Sequence, residues 1–381
     1  MRLVCLALLA FAASPAAAFE PTGSIVADAL LNTLERSGYR DVTVASVNRS
    51  GDTTAIETIT GTGIDSGAEM TISRAEIVNG VVNADNELIA DTIVYEGTRV
   101  EGENGTPPST VGRVMIEGAR YPISEATGEG LTSLFGTFER VTVDDVSARA
   151  DRGDLVTIDK MMVEIEERDL ETAAAGRVAI EGLGFDVSLW EEPAASQMRA
   201  LGYDTVAIDL AASGRWEAAT GNAVVRDVRV AMEDLGALTL TGDIDGLTAS
   251  TVAALQVSME DLPRMLQLLQ SVTISNLALT YTDAGLTPRL LEQLAAANDA
   301  PVEAVTQSLV ATIPDALAII NAPRFTEMVQ SAARTFLDDP GTLRVSAAPP
   351  QPISIAQLMG AVMMGPQTLP TLLNLEISAQ P

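Results

Sequence analysis

Apolar residues recur first at helical and then at strand spacing. Ile25, Ala29, Leu30 and Leu34 follow the candidate cap Ser24 at steps that share one helix face, and Gly38 marks the end. From Val42 to Tyr281 the period drops to two, and the chain reads as short strands separated by Gly, Asp, Asn and Pro. Within this stretch one offset recurs: apolar or small residues at relative positions 0, 2, 5 and 7, as in Met70/Ile72/Ala75/Ile77. Further instances begin at Leu88, Val114, Val141, Val156, Val178, Ala223 and Val272. A step of three in a regular strand sends the second half to the opposite face. Both halves share a face only if an extra residue is accommodated, as in a β-bulge, which bends and twists its strand. Two short strands with a tight connection, or coincidence in a Val/Ile-rich chain, are the alternatives.

The clearest local meander runs from Tyr203 to Leu247, with strands at Thr205 to Leu210, Asn222 to Met232 and Ala237 to Ile244. Short helices are expected at Glu191 to Leu201 and Asp261 to Gln270. After Tyr281 the pattern turns helical, with Pro288, Pro301, Pro314 and Pro323 each read as sitting in a first helical turn. A strand at Leu343 to Ala347, a Met-rich helix entered through the capping box of Ser354 and Gln357, and a strand at Leu372 to Ser378 complete the reading. The expected class is α+β: a β-rich body of curved, bulged antiparallel sheet over residues 19–281 with an N-terminal helix, and a mainly helical region over 282–381 packing on that sheet.

The start of the chain supplies an address. Met1-Arg2, an apolar run from Leu3 to Ala13 and the small-residue tail Ser14 to Ala18 form a secretory signal, with Ala16-x-Ala18 suiting cleavage before Phe19. The run is too short for a membrane span, which needs about 20 residues. Residues 1–18 are therefore expected to be removed and the product to be periplasmic, with no stable membrane span after cleavage. Charge adds to this. The chain has 23 basic and 52 acidic residues, a net −29, and losing Arg2 makes the remainder more acidic still. Nucleic acid and anionic headgroups are poor partners for such a surface.

Candidate chemistry is narrow. The chain has no histidine and its single cysteine, Cys5, lies in the signal. That removes Ser-His-Asp and Cys-His catalysis, thiol redox work and structural zinc from consideration. A hydroxyl-lysine dyad would have to use Lys160, in Thr157-Ile158-Asp159-Lys160, but the segment alternates like a strand. Carboxylate chemistry survives in principle. Yet Asp144-Asp145 and Glu164, Glu166 and Glu167 read as solvated acids, and at 4% aromatic content a sugar cleft lacks stacking rings. Thr241 to Gly246 has the glycine and two acids of a calcium loop but offers Val252 at its twelfth position. Gly61, Gly63 and Gly67 precede another strand, so they read as a hairpin and not as a phosphate loop. No catalytic residue, metal ligand or cofactor is expected.

The one candidate contact surface is the Met-rich helix, with Ile355, Leu358, Met359, Val362 and Met363. Core packing is its default reading and an adaptable apolar contact the other. Short apolar strands such as Val141 to Ala148, and the meander with Gly214-Arg215-Trp216 and Leu235 to Leu240, resemble the repeating strands of AsmA-like and related Gram-negative periplasmic proteins. The stretches Thr335 to Leu343 and Ala347 to Pro352 are similar to those of uncharacterised alphaproteobacterial-type exported proteins. The resemblance implies a curved sheet with an apolar groove associated with lipid handling, although this chain has a cleavable signal in place of a membrane anchor and is far shorter. The expected function is a non-enzymatic envelope protein holding an apolar, lipid-like ligand or partner. The alternatives are a structural or interaction module that binds an envelope protein without a ligand, or a carboxylate-dependent hydrolase.

Overall fold

The computed structural model describes residues 19–64, 66–101, 108–123, 137–149, 155–167, 173–256 and 262–381. The segment read as a secretory signal, residues 1–18, therefore lies outside the described residues. The chain forms two compact units, residues 1–165 with 179–191, and residues 166–178 with 192–381. It is β-rich, its sheets are antiparallel, and most of its helices are C-terminal.

The first unit opens with α1 (Ile25–Arg36), where Ser24 Oγ accepts the Ala27 amide at 3.3 Å. Of the expected face, Ala29 and Leu30 are buried and Leu34 packs against the core, whereas Ile25 is exposed; Ala27 and Leu31 are buried beside them. The sheet beneath is β1 (Tyr39–Ser50), β2 (Thr53–Gly63), β3 (Glu69–Val78), β5 (Glu87–Val100), β6 (Ser109–Pro122), β7 (Arg140–Arg149) and β8 (Leu155–Glu167) in that order, with the two-residue β4 (Val81–Val82) beside β5. Sequential hairpins let each strand find its neighbour locally. The core joins α1 to the inward residues of these strands, among them Ile56, Ile72, Ile77, Leu88, Ile93 and Ile116.

The 0, 2, 5, 7 pattern does what was expected here, since Met70, Ile72, Ala75 and Ile77 are all buried on one face. The device differs from a bulge. Ile72 pairs Thr98 and Arg74 pairs Glu96, so Ser73 and Gly97 stand opposite each other between two stretches in the same register. The same levels recur as Thr58 opposite Ser73, Gly97 opposite Gly112, Gly112 opposite Asp145 and Asp145 opposite Asp159. Both strands of each pair carry the interruption, so the faces switch together and no register is lost. Thr58, Gly97 and Asp145 have positive φ (48°, 61° and 57°), one on every other strand of this transverse row.

The second unit builds a sheet from β10 (Thr205–Glu217), β11 (Asn222–Met232), β12 (Gly236–Asp245), β13 (Thr273–Asp283), β14 (Thr342–Ala347) and β16 (Leu375–Gln380), with β15 (Ile353–Ser354) paired to β13; β8 and β9 (Ala173–Asp186) are each divided between the units. True bulges occur in this sheet. Arg226 and Asp227 oppose Thr241 alone, and Ser275 is an extra residue between Ile274 and Asn276. Both sites were expected from the pattern.

Seven-residue α2 (Ala194–Ala200) precedes β10, and α3 (Ala249–Gln256) and α4 (Leu262–Leu269) join β12 to β13. Then α5 (Leu286–Ala297), α6 (Val302–Ala316) and α7 (Pro323–Asp338) follow β13. Pro314 departs from the expected first turn and lies inside the last turn of α6. The Val310 carbonyl that loses its helical donor there accepts Gln330 Nε2 from α7 at 3.4 Å. The Met-rich helix is α8 (Ile355–Met364), with the expected capping box present, and α9 (Leu369–Leu372) leads into β16.

Candidate apolar binding surface

Register decides which side chains of the second sheet stand together. Ala212 faces Val228, which faces Leu240, then Leu279, Val345 and Ile377, so one transverse row crosses six strands. The next row on the same face reads Leu210, Val230, Leu238, Tyr281, Leu343 and Ala379. The opposite face carries Ala211, Arg229, Thr239, Thr280, Arg344 and Ser378 at the intervening level. One face is therefore aliphatic and the other small or polar, as alternation along each strand requires.

In the first unit the equivalent apolar face is sealed, with Ile72 3% and Ile93 0% exposed beside α1. In the second unit Leu238 is 44%, Leu279 40%, Val228 37% and Val345 36% exposed. The helical layer reaches this face only in part. Helix α7 packs on β14 and β16, and its buried Phe336 meets the Tyr281 ring edge-on at 5.9 Å between centroids. The Tyr281 hydroxyl lies 2.9 Å from Asp283 Oδ1 and 3.0 Å from the Leu235 carbonyl. Burial, and then the neighbouring Asp283, push its phenol up to about 12. Burial would also raise Asp283, but the amides of Thr287 and Gly285 and the Tyr281 hydroxyl hold its carboxyl below the usual range. This polar cluster fastens the entry of α5 at one end of the aliphatic rows.

The Met-rich helix begins where β15 pairs with β13, and the Ile355 amide donates to the Val272 carbonyl at 3.0 Å. None of its residues is buried. Ile355 and Leu358 are half-buried, while Met359, Val362 and Met363 are exposed, Met363 at 82%. Core packing, the default expectation for this helix, is not what the structure has.

The acids singled out from sequence are occupied or scattered. Glu164 pairs with Arg140 at 2.6 Å and Glu166 with Arg226 at 3.1 Å, while Glu167 is the last residue of β8. Asp144 stands opposite Lys160 across β7 and β8. In the calcium-like loop Asp243 is a strand residue opposite Asn276, and Asp245 accepts from Asn222 and Ser275. Gly63 and Gly67 lie at the β2–β3 hairpin, with the Gly63 amide on the Ala68 carbonyl and the Gly67 amide on the Gly63 carbonyl, both at 2.9 Å. Among the described residues no group of three or more His, Cys, Asp and Glu side chains is arranged to hold a metal ion, and no helix is long and apolar enough to cross a membrane.

The model of a protein family described as "Uncharacterized protein" matches residues 229–380. No curated protein matches the chain significantly. The matched segment begins inside β11 and takes in β12 to β16 with α3 to α9, so most of the aliphatic surface falls within it.

The sequence marks Val228, Val230, Leu277 and Leu279 as one-faced strand residues but does not decide whether their face is packed or open. The 0, 2, 5, 7 pattern is the same in both units, and only the extent of the helical cover differs.

Proposed function

We propose that the chain is an exported, non-enzymatic protein of the Gram-negative cell envelope, processed after Ala18, that holds an apolar, lipid-like ligand on the aliphatic face of its second unit. The observation that carries this reading is the pair of adjacent aliphatic rows, several of whose members are more than a third exposed. Burying such side chains is favourable by about 25 cal/mol per Å² of apolar area, and a contiguous exposed patch of this kind marks an interaction surface. Bulges such as those at Arg226 and Ser275 bend and twist a strand, which suits a face that follows an acyl chain. The resemblance to AsmA-like strands points the same way. A second reading rests on α8. Its exposed Met359, Met363 and Met364 are an adaptable contact for an envelope protein in place of a ligand.

Native mass spectrometry of the purified protein, before and after lipid extraction, tests the first reading. A copurifying lipid, and uptake of an apolar fluorophore by the delipidated protein, are expected. Leu279→Asp with Leu238→Asp should reduce that uptake at least about tenfold while the far-ultraviolet circular dichroism is retained, because each buried charge opposes an apolar ligand. No lipid and no uptake in the unaltered protein would overturn it. The second reading would then be carried by a partner captured on the intact protein and lost with Met363→Asp.

A further inference from the structure

Glu35 is the one charged residue among the buried polar side chains described, only 8% exposed on the inner side of α1. Among the described residues no cation stands within ion-pair distance of it. Its sequence neighbour Arg36 donates to the Pro122 carbonyl, and Arg40 pairs with Asp41 at 3.8 Å. What Glu35 does have is the backbone nitrogen of Phe19, 3.0 Å from its Oε1. The Phe19 ring packs against the core of the first unit. The following residues are tied down as well: Thr22 donates to Asp28 through both its amide and its hydroxyl, at 2.8 and 2.7 Å, and Ser24 caps α1. A buried carboxylate with a single amide donor is poorly compensated, and burial pushes the Glu35 carboxyl up against the pull of that amide.

The sequence places the signal-peptidase site at the bond before this nitrogen, after Ala16-x-Ala18. We infer that cleavage there completes the fold: hydrolysis turns the Phe19 amide nitrogen into an α-ammonium that forms an ion pair with buried Glu35. In that step water adds across the Ala18–Phe19 peptide bond. Its oxygen goes to the Ala18 carbonyl carbon, giving a carboxylate, and the Phe19 nitrogen leaves as the protonated amine. The missing counter-charge is thus produced by maturation and delivered to the atom already in hydrogen-bond contact. The inference rests on the export and cleavage reading above.

Its test separates the two. Full-length chain expressed in a Gram-negative host should be recovered from the periplasm with Phe19 as its first residue by N-terminal sequencing; another start, or retention of the precursor, overturns the processing step. Independently, a chain beginning at Phe19, released from a fusion without extra residues, is compared with one beginning at Ala17. Each is made with Glu35 and with Glu35→Gln. The Phe19 form should melt at least about 2 °C above the Ala17 form, and Glu35→Gln should erase the difference. Equal melting of the two forms, or a difference that survives Glu35→Gln, overturns the ion pair. Amine labelling gives a readout that needs no variant, because the chain has one lysine, the exposed Lys160. In the folded Phe19 form an amine-reactive ester should modify Lys160 and spare the Phe19 amine. Equal modification of both, after allowing for their reactivity in the unfolded chain, also overturns the pair.

Discussion

Charged residues on the outer face of the first unit are arranged across strands, not along them. Glu57, Arg74, Glu96, Arg113, Asp144 and Lys160 stand opposite one another on six successive strands, alternating in sign. Arg74 reaches Glu57 at 2.6 Å, and four residues along the strands Arg140 bridges Glu117 and Glu164 at 3.1 and 2.6 Å. Opposite charges facing each other support a strand pair, whereas like charges would oppose it. The chain's few basic residues are thus spent on register in an acidic protein. The half-buried tyrosines, Tyr95 and Tyr121 in the first unit and Tyr281 in the second, have a different titration signature. Burial raises Tyr95 well above its ordinary value, Tyr121 to about 12 and Tyr281 to about 12. A raised folded pKa means that the unfolded chain loses these protons first, so stability present below pH ~10 is lost as pH rises toward about 12. Titration followed by phenolate absorbance should show these three rings silent at pH ~10.5 in the folded protein and ionised at once on unfolding in urea; ionisation of all tyrosines near pH ~10 without unfolding would contradict their burial.

The recurrent element is a strand whose buried face switches phase once. Its pattern of apolar residues was legible, but its mechanism was not, because one strand's sequence does not reveal whether its partner carries the same interruption. In the first unit the interruptions from Thr58 to Asp159 are paired and leave the register intact, the shift there being at Asp41 and Val42 of β1, whereas in the second unit Arg226 and Ser275 are unmatched and shift it. Gly97 tests the paired form. Its φ is +61°, and a Cβ added there would lie 2.6 Å from Ser73 Oγ. Gly97→Ala should therefore destabilise the protein by about 1–2 kcal/mol, the cost of a left-handed L-residue, read as a lower urea midpoint with an unchanged slope. Ser73→Ala in the same chain should relieve the contact but not the backbone strain, so most of the loss should persist. The helices show a similar division. Proline placement correctly marked the starts of α6 and α7 at Pro301 and Pro323, but Pro314 sits in a last turn, where a neighbouring glutamine takes up the freed carbonyl. That compensation comes from a different helix and leaves no local signal.

At the scale of the molecule, a net charge of −29 on a chain without histidine governs behaviour more than any single site. Like charges repel, and folding concentrates them. Raising sodium chloride from about 10 to 150 mM shortens the Debye length from roughly 30 to 8 Å and should raise the melting temperature measurably; a fall would mean that the alternating ladders outweigh the net repulsion. The helical C-terminal region was legible from periodicity, as was the return to strands at β14 and β16. How the apolar surface is divided between sealed and open was not.

From sequence alone came the β-rich character, the positions where strand phase changes, most helices and the lack of histidine and of cysteine beyond residue 18, which narrows the chemistry to carboxylates, hydroxyls and binding. These follow from local periodicity and composition, which need no knowledge of distant contacts. Tertiary structure alone decided that Ile72 is sealed while Leu279 is open, that Asp144 stands opposite Lys160, and that Glu35 meets the backbone nitrogen of Phe19. Each of these depends on which element lies opposite, and that is set by cross-strand register and helix docking between residues far apart in the chain.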